Sequence, residues 1–181
     1  MSLILAHHTP KGAVVVADSQ ISYGEGVAAG FAPKIHMIGS GNYMWIVGFT
    51  GSTVSAAWML PELRRAAANL DQPESALLAA HEKVLPRCGP CATGEFPRTG
   101  VTTVLVSREG IAVLDGCGFI KTDRHDGFVA AGCGEEYANG WWDAHDGNAV
   151  PEVEMVRMMI EAKHRFPGIG GETTVLRLAF E

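Results

Sequence analysis

The stretch Leu3-Ile-Leu-Ala-His-His-Thr-Pro-Lys-Gly-Ala-Val-Val-Val-Ala-Asp18 decides the fold of this chain. Two short apolar runs, at residues 3–6 and 13–17, flank a connector that is rich in turn-forming residues. This pattern predicts a hairpin of two β-strands. Because each run is apolar at every position, and does not alternate with polar residues, we expect both faces of the hairpin to be covered.

Strand groups alternate with helix pairs along the rest of the chain. The pattern predicts strands at 34–38, 43–47, 101–106, 111–114, 128–131 and 173–178, helices at 52–70, from 73 onward, at 135–145 and at 151–164, a loop marked by Gly24, Gly26 and Gly30, and a kink or break at Pro61. This order argues against a doubly wound parallel sheet, where single helices follow single strands. It predicts an α+β fold, a four-layer αββα sandwich of two antiparallel sheets flanked by helix pairs, as one domain over residues 1–181.

The composition narrows the functional class. The chain has 181 residues, 47% of them hydrophobic and 19% charged, with a formal net charge of −6. An acidic chain without a Lys/Arg run is not expected to bind nucleic acid or an anionic membrane surface. No apolar run reaches the ~18 residues of a membrane span, and the N-terminus has no signal-peptide pattern. We therefore expect a cytoplasmic protein.

The four cysteines do not form a convincing redox or metal motif. Cys88-Gly-Pro-Cys91 has the thioredoxin spacing, but it follows a helical pattern and precedes a loop, whereas the redox motif opens a helix. A zinc site would need a second ligand pair, which neither Cys117 nor Cys133 supplies. We interpret these residues as loop cysteines, with an opportunistic disulfide left open, and we expect no metal and no cofactor.

Ser2 can act as a nucleophile with its own general base if Met1 is removed. The new N-terminal residue would then carry both a hydroxyl and an α-amine, whose pKa of ~7.7–8.0 suits a general base near neutral pH. Taken alone, Ser2 is more often a frayed terminus. Asp18 after a strand is more often a turn former, and Lys34 is more often a solvated strand start.

Taken together, these residues resemble one family. The matching segments are Ser2, Ala17-Asp18-Ser19-Gln20, Lys34-Ile35, the glycine turn Gly48-Phe-Thr-Gly-Ser-Thr53, and Gly132-Cys-Gly-Glu-Glu-Tyr-Ala138. They resemble the proteasome β-subunit and HslV-like family of N-terminal-nucleophile hydrolases. The intervals from Ser2 to Asp18 and to Lys34 match those of the family without a gap, and the resemblance covers nearly the whole chain.

The resemblance implies a role for each catalytic position. Ser2 would attack a peptide carbonyl, with its own α-amine taking the proton. Lys34 would stay protonated beside it and lower the pKa of the amine and hydroxyl. Asp18 would pair with Lys34 and offset its burial. The backbone N–H of Gly51 would stabilise the developing oxyanion.

The resemblance also implies substrate contacts and marks departures. Ser22 would lie on the strand that pairs with extended substrate, and Gly48 would belong to the substrate-binding turn. Cys133 stands where the family has a supporting serine, and a thiol is a weaker hydrogen-bond partner. Phe166 and Ile169 stand where the proteasome has an acid and a serine, and the nucleophile itself is serine where the family has threonine.

Three functions follow as expectations. The first is a self-compartmentalised peptidase that degrades unfolded polypeptide inside a homo-oligomeric ring, with an ATP-driven unfoldase as partner. The second is a catalytically weak or inactive assembly subunit, which the changes at Cys133, Phe166 and Ile169 favour, as would retention of Met1. The third is a small-amide acylase of the wider N-terminal-nucleophile class, which no residue of the sequence specifically supports.

Overall fold

The computed structural model describes residues 2–23, 27–39, 43–68, 72–88, 98–118, 120–123, 127–144 and 151–180. Its strands are β1 (Leu3–Thr9), β2 (Gly12–Asp18), β3 (Gln20–Tyr23), β4 (Val27–Phe31), β5 (Ile35–Ile38), β6 (Trp45–Gly51), β7 (Val101–Ser107), β8 (Gly110–Leu114), β9 (Ile120–Asp123), β10 (Phe128–Gly132) and β11 (Thr173–Ala179). Its helices are α1 (Thr53–Ala67), α2 (Pro73–Val84), α3 (Glu135–Ala144) and α4 (Pro151–Arg165).

Two antiparallel sheets form the centre of the molecule. The first has the strand order β10-β1-β2-β11, and the second has the order β5-β6-β7-β8-β9. The predicted hairpin is confirmed, since β1 pairs with β2 from Ile4 opposite Ala17 to Thr9 opposite Gly12. Both strands lie inside the first sheet, which explains why their sequences are apolar on both faces.

Three groups of buried side chains separate four layers. The first lies between the two sheets and includes Ile4, Val15 and Ile46. The second lies between the five-stranded sheet and helices α1 and α2, where Leu105 is fully buried. The third lies between the four-stranded sheet and helices α3 and α4, where Met158 is fully buried. The predicted four-layer αββα sandwich is therefore confirmed.

Helix starts follow the expected local chemistry. Ser52 caps α1, and its hydroxyl accepts the backbone N–H of Ser55 at 3.2 Å. Pro73 opens α2 at the position where a missing N–H costs no hydrogen bond, as predicted. Pro61 lies inside α1, which continues to Ala67. A break at Pro61 is therefore wrong, and a kink there stays a prediction.

Some strand predictions need correction. The expected loop after β2 contains the two-stranded sheet β3–β4, and Gly30 lies within β4; Gly24 and Gly26 fall outside the described residues. Strand β6 continues through the predicted turn to Gly51. Strand β9 was not predicted.

The described residues include three of the four cysteines. Cys88, Cys117 and Cys133 are free thiols, and Cys91 falls outside the described residues. Within the described ranges, no three His, Cys, Asp or Glu side chains lie close enough together to hold a metal ion. None of the helices described here is long and apolar enough to cross a membrane.

Candidate active site

Asp18 ends strand β2 with a fully buried carboxylate. One oxygen, Oδ1, accepts the backbone N–H of Leu3 at 2.9 Å. The other, Oδ2, accepts the backbone N–H groups of Gln20 and Gly170, both at 3.2 Å. Three backbone donors therefore fix the carboxylate, and they come from three separate parts of the chain.

Lys34 completes the environment of Asp18. It directly precedes β5, and its carbonyl accepts the N–H of Phe49 on β6 at 3.0 Å. Its Nζ lies 2.8 Å from both carboxylate oxygens of Asp18. Burial lowers the pKa of Lys34 below its usual 10.5, while the charge and hydrogen bonds of Asp18 and the thiol of Cys133 oppose that shift.

Ser2 lies at the edge of a cleft that Lys34 also lines. The residue is 5% exposed, and its carbonyl accepts the backbone N–H of Cys133 at 2.9 Å. Met1 falls outside the described residues. The cleft has a volume of about 220 Å³ and is lined by Ser2, Gln20, Ile21, Ser22, Ala32, Pro33, Lys34, His36, Phe49, Thr50, Gly51, Ser52, Thr53, Ala56, Ala57 and Leu60. Four of the predicted site residues, Ser2, Ser22, Lys34 and Gly51, therefore meet in one cleft.

Gly51 lies at the end of β6, where the chain turns into α1. Its φ of +95° is in the left-handed region, and a Cβ here would collide with the carbonyl oxygen of Gly100. The N–H of Phe49 points towards β5, and the N–H of Ser52 points towards Gly100 beside β7. Because backbone groups alternate along an antiparallel strand, the N–H of Gly51 is expected on the β5 side, beyond the start of β5 and away from β7.

The remaining predicted residues take different places. Ser22 lines the cleft, but its hydroxyl is engaged, since it accepts from Gln20 Nε2 at 2.9 Å and donates to the Gly168 carbonyl at 3.3 Å. Cys133 is exposed, and its backbone rather than its thiol bonds to Ser2. Gly48 does not line this cleft: a Cβ there would press on Ile4 in the opposite sheet. The structure thus gives Gly48 a packing role, and its part in substrate binding stays a prediction.

The sequence pattern does not predict the hydrogen bonds that residues 166–171 make with Asp18 and the residues that follow it. The N–H groups of Ser19 and Gln20 both donate to the Gly170 carbonyl, at 3.2 and 3.1 Å, while the Gly170 N–H donates to Asp18. Ile169, in the position of the family's serine, is 2% exposed and packs in the core between the first sheet and its helices. The glycines of this segment were its only sequence signal, because its partners lie about 150 positions away.

His36 also lines the cleft, and no sequence pattern singles it out. Burial is the main cause that lowers the pKa of His36, and the charge of Arg64 lowers it further, while a hydrogen bond with the Pro33 backbone acts in the opposite direction. Both of the main causes favour the neutral form of the ring. His36 adds a polar wall to a cleft whose other lining residues include Phe49 and Leu60.

The four-layer αββα sandwich is the fold of the proteasome-type N-terminal-nucleophile hydrolases. Comparison with solved structures shows the same fold. Eukaryotic HslV from Trypanosoma brucei is 22% identical, with a TM-score of 0.74 over 98% of this chain and 99% of its own. BPH from Thiobacillus denitrificans, solved in complex with epoxomicin, is 15% identical, with a TM-score of 0.72 over 99% of both chains.

A third neighbour is Anbu from Pseudomonas aeruginosa, solved as a helical assembly. It is 14% identical, with a TM-score of 0.75 over 98% of this chain and 81% of its own. A scan against protein-family models finds no match. At these identities the likeness establishes the fold, and at that level the resemblance inferred from the sequence is confirmed.

Proposed function

We propose that this chain is a peptidase of the proteasome type, with Ser2 as the nucleophile after removal of Met1. The observation that carries the proposal is the buried pair of Asp18 and Lys34 beside a cleft that Ser2 and Gly51 also line. A buried charge pair is expensive to maintain and is weak evidence for stability alone. Its place at a cleft next to a hydroxyl favours a catalytic purpose.

The chemistry assigns one task to each group. Ser2 Oγ forms a bond to the peptide carbonyl carbon while the α-amine of the same residue accepts the hydroxyl proton. The Gly51 N–H stabilises the negative charge on the carbonyl oxygen. The C–N bond then breaks, the proton passes to the leaving amine, and water hydrolyses the ester on Ser2.

Lys34 and Asp18 support this sequence of steps. The ammonium of Lys34 favours the neutral amine and the developing alkoxide of Ser2, since both respond to a nearby positive charge. Asp18 holds Lys34 through two contacts of 2.8 Å and keeps the ammonium in place despite its burial.

The proposed substrate is unfolded polypeptide in extended form. Ile21 and Ser22 of β3 line the cleft, so a substrate strand lying along β3 would place a side chain into it and a carbonyl near Ser2. We propose that residues 1–181 form one peptidase domain that acts in the cytoplasm. It would need neither metal nor cofactor, because the nucleophile and base come from one residue.

We also propose that the active form is a homo-oligomer. An exposed N-terminal nucleophile would cleave without selection, so a ring that encloses it, served by an ATP-driven unfoldase, gives the needed control. The helical assembly of the Pseudomonas aeruginosa neighbour makes an open assembly the alternative arrangement. Mass measured by light scattering, followed by electron microscopy of the particles, distinguishes a ring, a filament and a monomer.

A second candidate function is a weak or inactive assembly subunit. The burial of Ile169, in the position where the family has a serine, is the observation that favours it. Such a subunit would assemble normally but would hydrolyse peptide slowly or not at all, even with Met1 removed.

Hydrolysis of fluorogenic peptides by wild type, Ser2→Ala and Ser75→Ala decides between the two candidates. Ser75 is exposed on α2, so its variant controls for the loss of one hydroxyl. Intact mass first confirms that Met1 is absent from the wild type. The proposal expects turnover by wild type and Ser75→Ala and none by Ser2→Ala. Equal turnover by all three proteins would rule out Ser2 as the nucleophile.

A further inference from the structure

A second lysine lies close to Asp18, and the chemistry proposed above does not use it. Lys163 is on the last turn of α4 and is half-buried. Its Nζ donates to the Gly171 carbonyl at 2.7 Å and to Thr173 Oγ1 at 2.6 Å. Two short contacts fix this flexible side chain in a single position at the junction of the 166–171 segment and β11.

Both acceptors of Lys163 adjoin groups that hold Asp18. Gly171 follows Gly170, whose N–H donates to Asp18 Oδ2 at 3.2 Å. Thr173 is the register partner of Asp18 where β11 pairs with β2. Lys163 therefore joins α4 to the Gly171 backbone and to the Thr173 side chain, next to the residues that surround the Asp18 carboxylate.

The same junction orders the chain that follows Asp18. The backbone N–H groups of Ser19 and Gln20 both donate to the Gly170 carbonyl. The N–H of Glu172 donates to Ser19 Oγ at 2.9 Å. A shift of the segment would consequently move Asp18 and the start of the cleft-lining strand β3 together.

The charges around Lys163 fit this arrangement. Burial is the largest influence on its pKa and lowers it, whereas the carboxylates of Asp18 and Glu172 act in the opposite direction. Asp18 thus has two cations in its field, Lys34 on the cleft side and Lys163 on the helix side. A lysine that served only solubility would keep its ammonium in water and would not replace water with two fixed acceptors.

We infer that Lys163 is a positioning residue for the Asp18–Lys34 pair: its ammonium fixes residues 170–173 against β2 and so sets the orientation of the Asp18 carboxylate. The catalytic consequence rests on the proposed function, whereas the structural consequence does not. Displacement of a supporting group by about 1 Å can reduce a rate by about 10²-fold while substrate binding is little changed.

The test compares Lys163→Met with Arg157→Met in the assembled protein lacking Met1. Arg157 lies on the same helix, and its guanidinium pairs with Glu154 at an exposed position, so its variant controls for the loss of a helical cation. The measurements are kcat and KM for a fluorogenic peptide, and amide hydrogen exchange at Ser19, Gln20 and Gly170. Lys163→Arg keeps donors for the same acceptors and serves as the rescue variant.

The inference expects Lys163→Met to lower kcat by up to about 10²-fold with KM within about twofold of wild type. It also expects faster exchange at the three amides, partial recovery in Lys163→Arg, and neither effect in Arg157→Met. A kcat for Lys163→Met equal to that of Arg157→Met would overturn it. If the methionine variant does not fold, Lys163→Gln takes its place with the same expectations.

Failure of the proposed function can be separated from failure of this inference. If the wild type hydrolyses no peptide, the proposed function fails and hydrogen exchange alone decides. Faster exchange at Ser19, Gln20 and Gly170 in Lys163→Met would then still support the positioning role. Exchange identical to that of Arg157→Met would overturn it.

Discussion

The Nζ of Lys34 lies 2.8 Å from each carboxylate oxygen of Asp18, and this pair connects the two sheets of the sandwich. Asp18 ends a strand of the four-stranded sheet, while Lys34 precedes the edge strand β5 of the five-stranded sheet. The side chain of Asp18 is fully buried, and that of Lys34 is 10% exposed. The contact therefore connects the two sheets and also belongs to the proposed catalytic site.

Replacement of Asp18 by asparagine should destabilise the protein strongly. It removes one partner of a buried pair and leaves the Lys34 charge without compensation, which typically costs about 3–5 kcal/mol. Urea denaturation of Asp18→Asn and wild type measures the difference. Glu152→Gln, which interrupts an exposed pair with Arg177, is the control and should unfold close to wild type. Equal loss in both variants would contradict the importance given to the buried pair.

Replacement of Gly51 by alanine should reduce activity strongly. The left-handed φ and the collision with the Gly100 carbonyl would force the backbone to move and the N–H to lose its alignment. Loss of one oxyanion donor typically lowers kcat by about 10²–10³-fold. The control is Gly30→Ala, because no atom lies within 4 Å of a Cβ at Gly30. A kcat for Gly51→Ala equal to that of Gly30→Ala would exclude the oxyanion role.

A plot of kcat against pH should fall on the basic side, in a basic limb that reports the loss of the Lys34 proton. Burial lowers the pKa of Lys34 below 10.5, and the proposed mechanism needs the ammonium, so kcat should fall as pH rises through that lowered value. The contribution of Lys34 to folding stability has the opposite sign. Lys34 loses its proton at a lower pH in the folded protein than in the unfolded chain. The free energy of unfolding therefore rises with pH between the lowered pKa and 10.5.

Two variants check this assignment. In Lys34→Arg the guanidinium stays charged at every accessible pH, so the basic limb should disappear even where the rate is lower. In Lys34→Met the rise in stability on the basic side should be smaller than in wild type. A basic limb that is unchanged in Lys34→Arg would show that another group titrates.

Cys133→Ser should maintain or increase the rate. The thiol is exposed, whereas the contact to Ser2 uses the backbone N–H, so the substitution should leave the fold unchanged. A hydroxyl is a stronger hydrogen-bond partner than a thiol, and it would support the nucleophile better. Turnover by Cys133→Ser and Cys133→Ala measures the effect. A rate well below that of wild type in both the serine and the alanine variant would contradict this prediction and would show that the thiol itself is needed.

The sequence predicted the parts of the fold that depend on local pattern. The apolar runs around the β1–β2 hairpin and the proline at the start of α2 each carry their own signal, and both predictions were confirmed. The residue pattern does not predict the small sheet β3–β4, because its strands are only four and five residues long and Gly30 weakens the pattern; the family resemblance alone placed Ser22 on a strand, which is confirmed. The sequence pattern places Gly48 in a turn. In the structure it lies in β6, where a Cβ would press on the side chain of Ile4 from the other sheet.

The site could be predicted only in part for the same reason. Ser2, Asp18 and Lys34 were recognised by their intervals along the chain. The hydrogen bond from Gly170 to Asp18 and the contacts of Lys163 join segments that are far apart in sequence, and they depend on how α4 and β11 pack. No local pattern encodes such contacts, so only the three-dimensional structure could show them.

The most direct test of the central claim is the rate of one preparation before and after Met1 is removed. Protein that retains Met1 has no free amine on Ser2, and controlled aminopeptidase treatment, followed by intact mass, gives the fraction in which Ser2 is the N-terminus. If Ser2 is the nucleophile, peptide turnover is absent at the start and rises in proportion to that fraction. Turnover that is equal before and after removal of Met1 would contradict it.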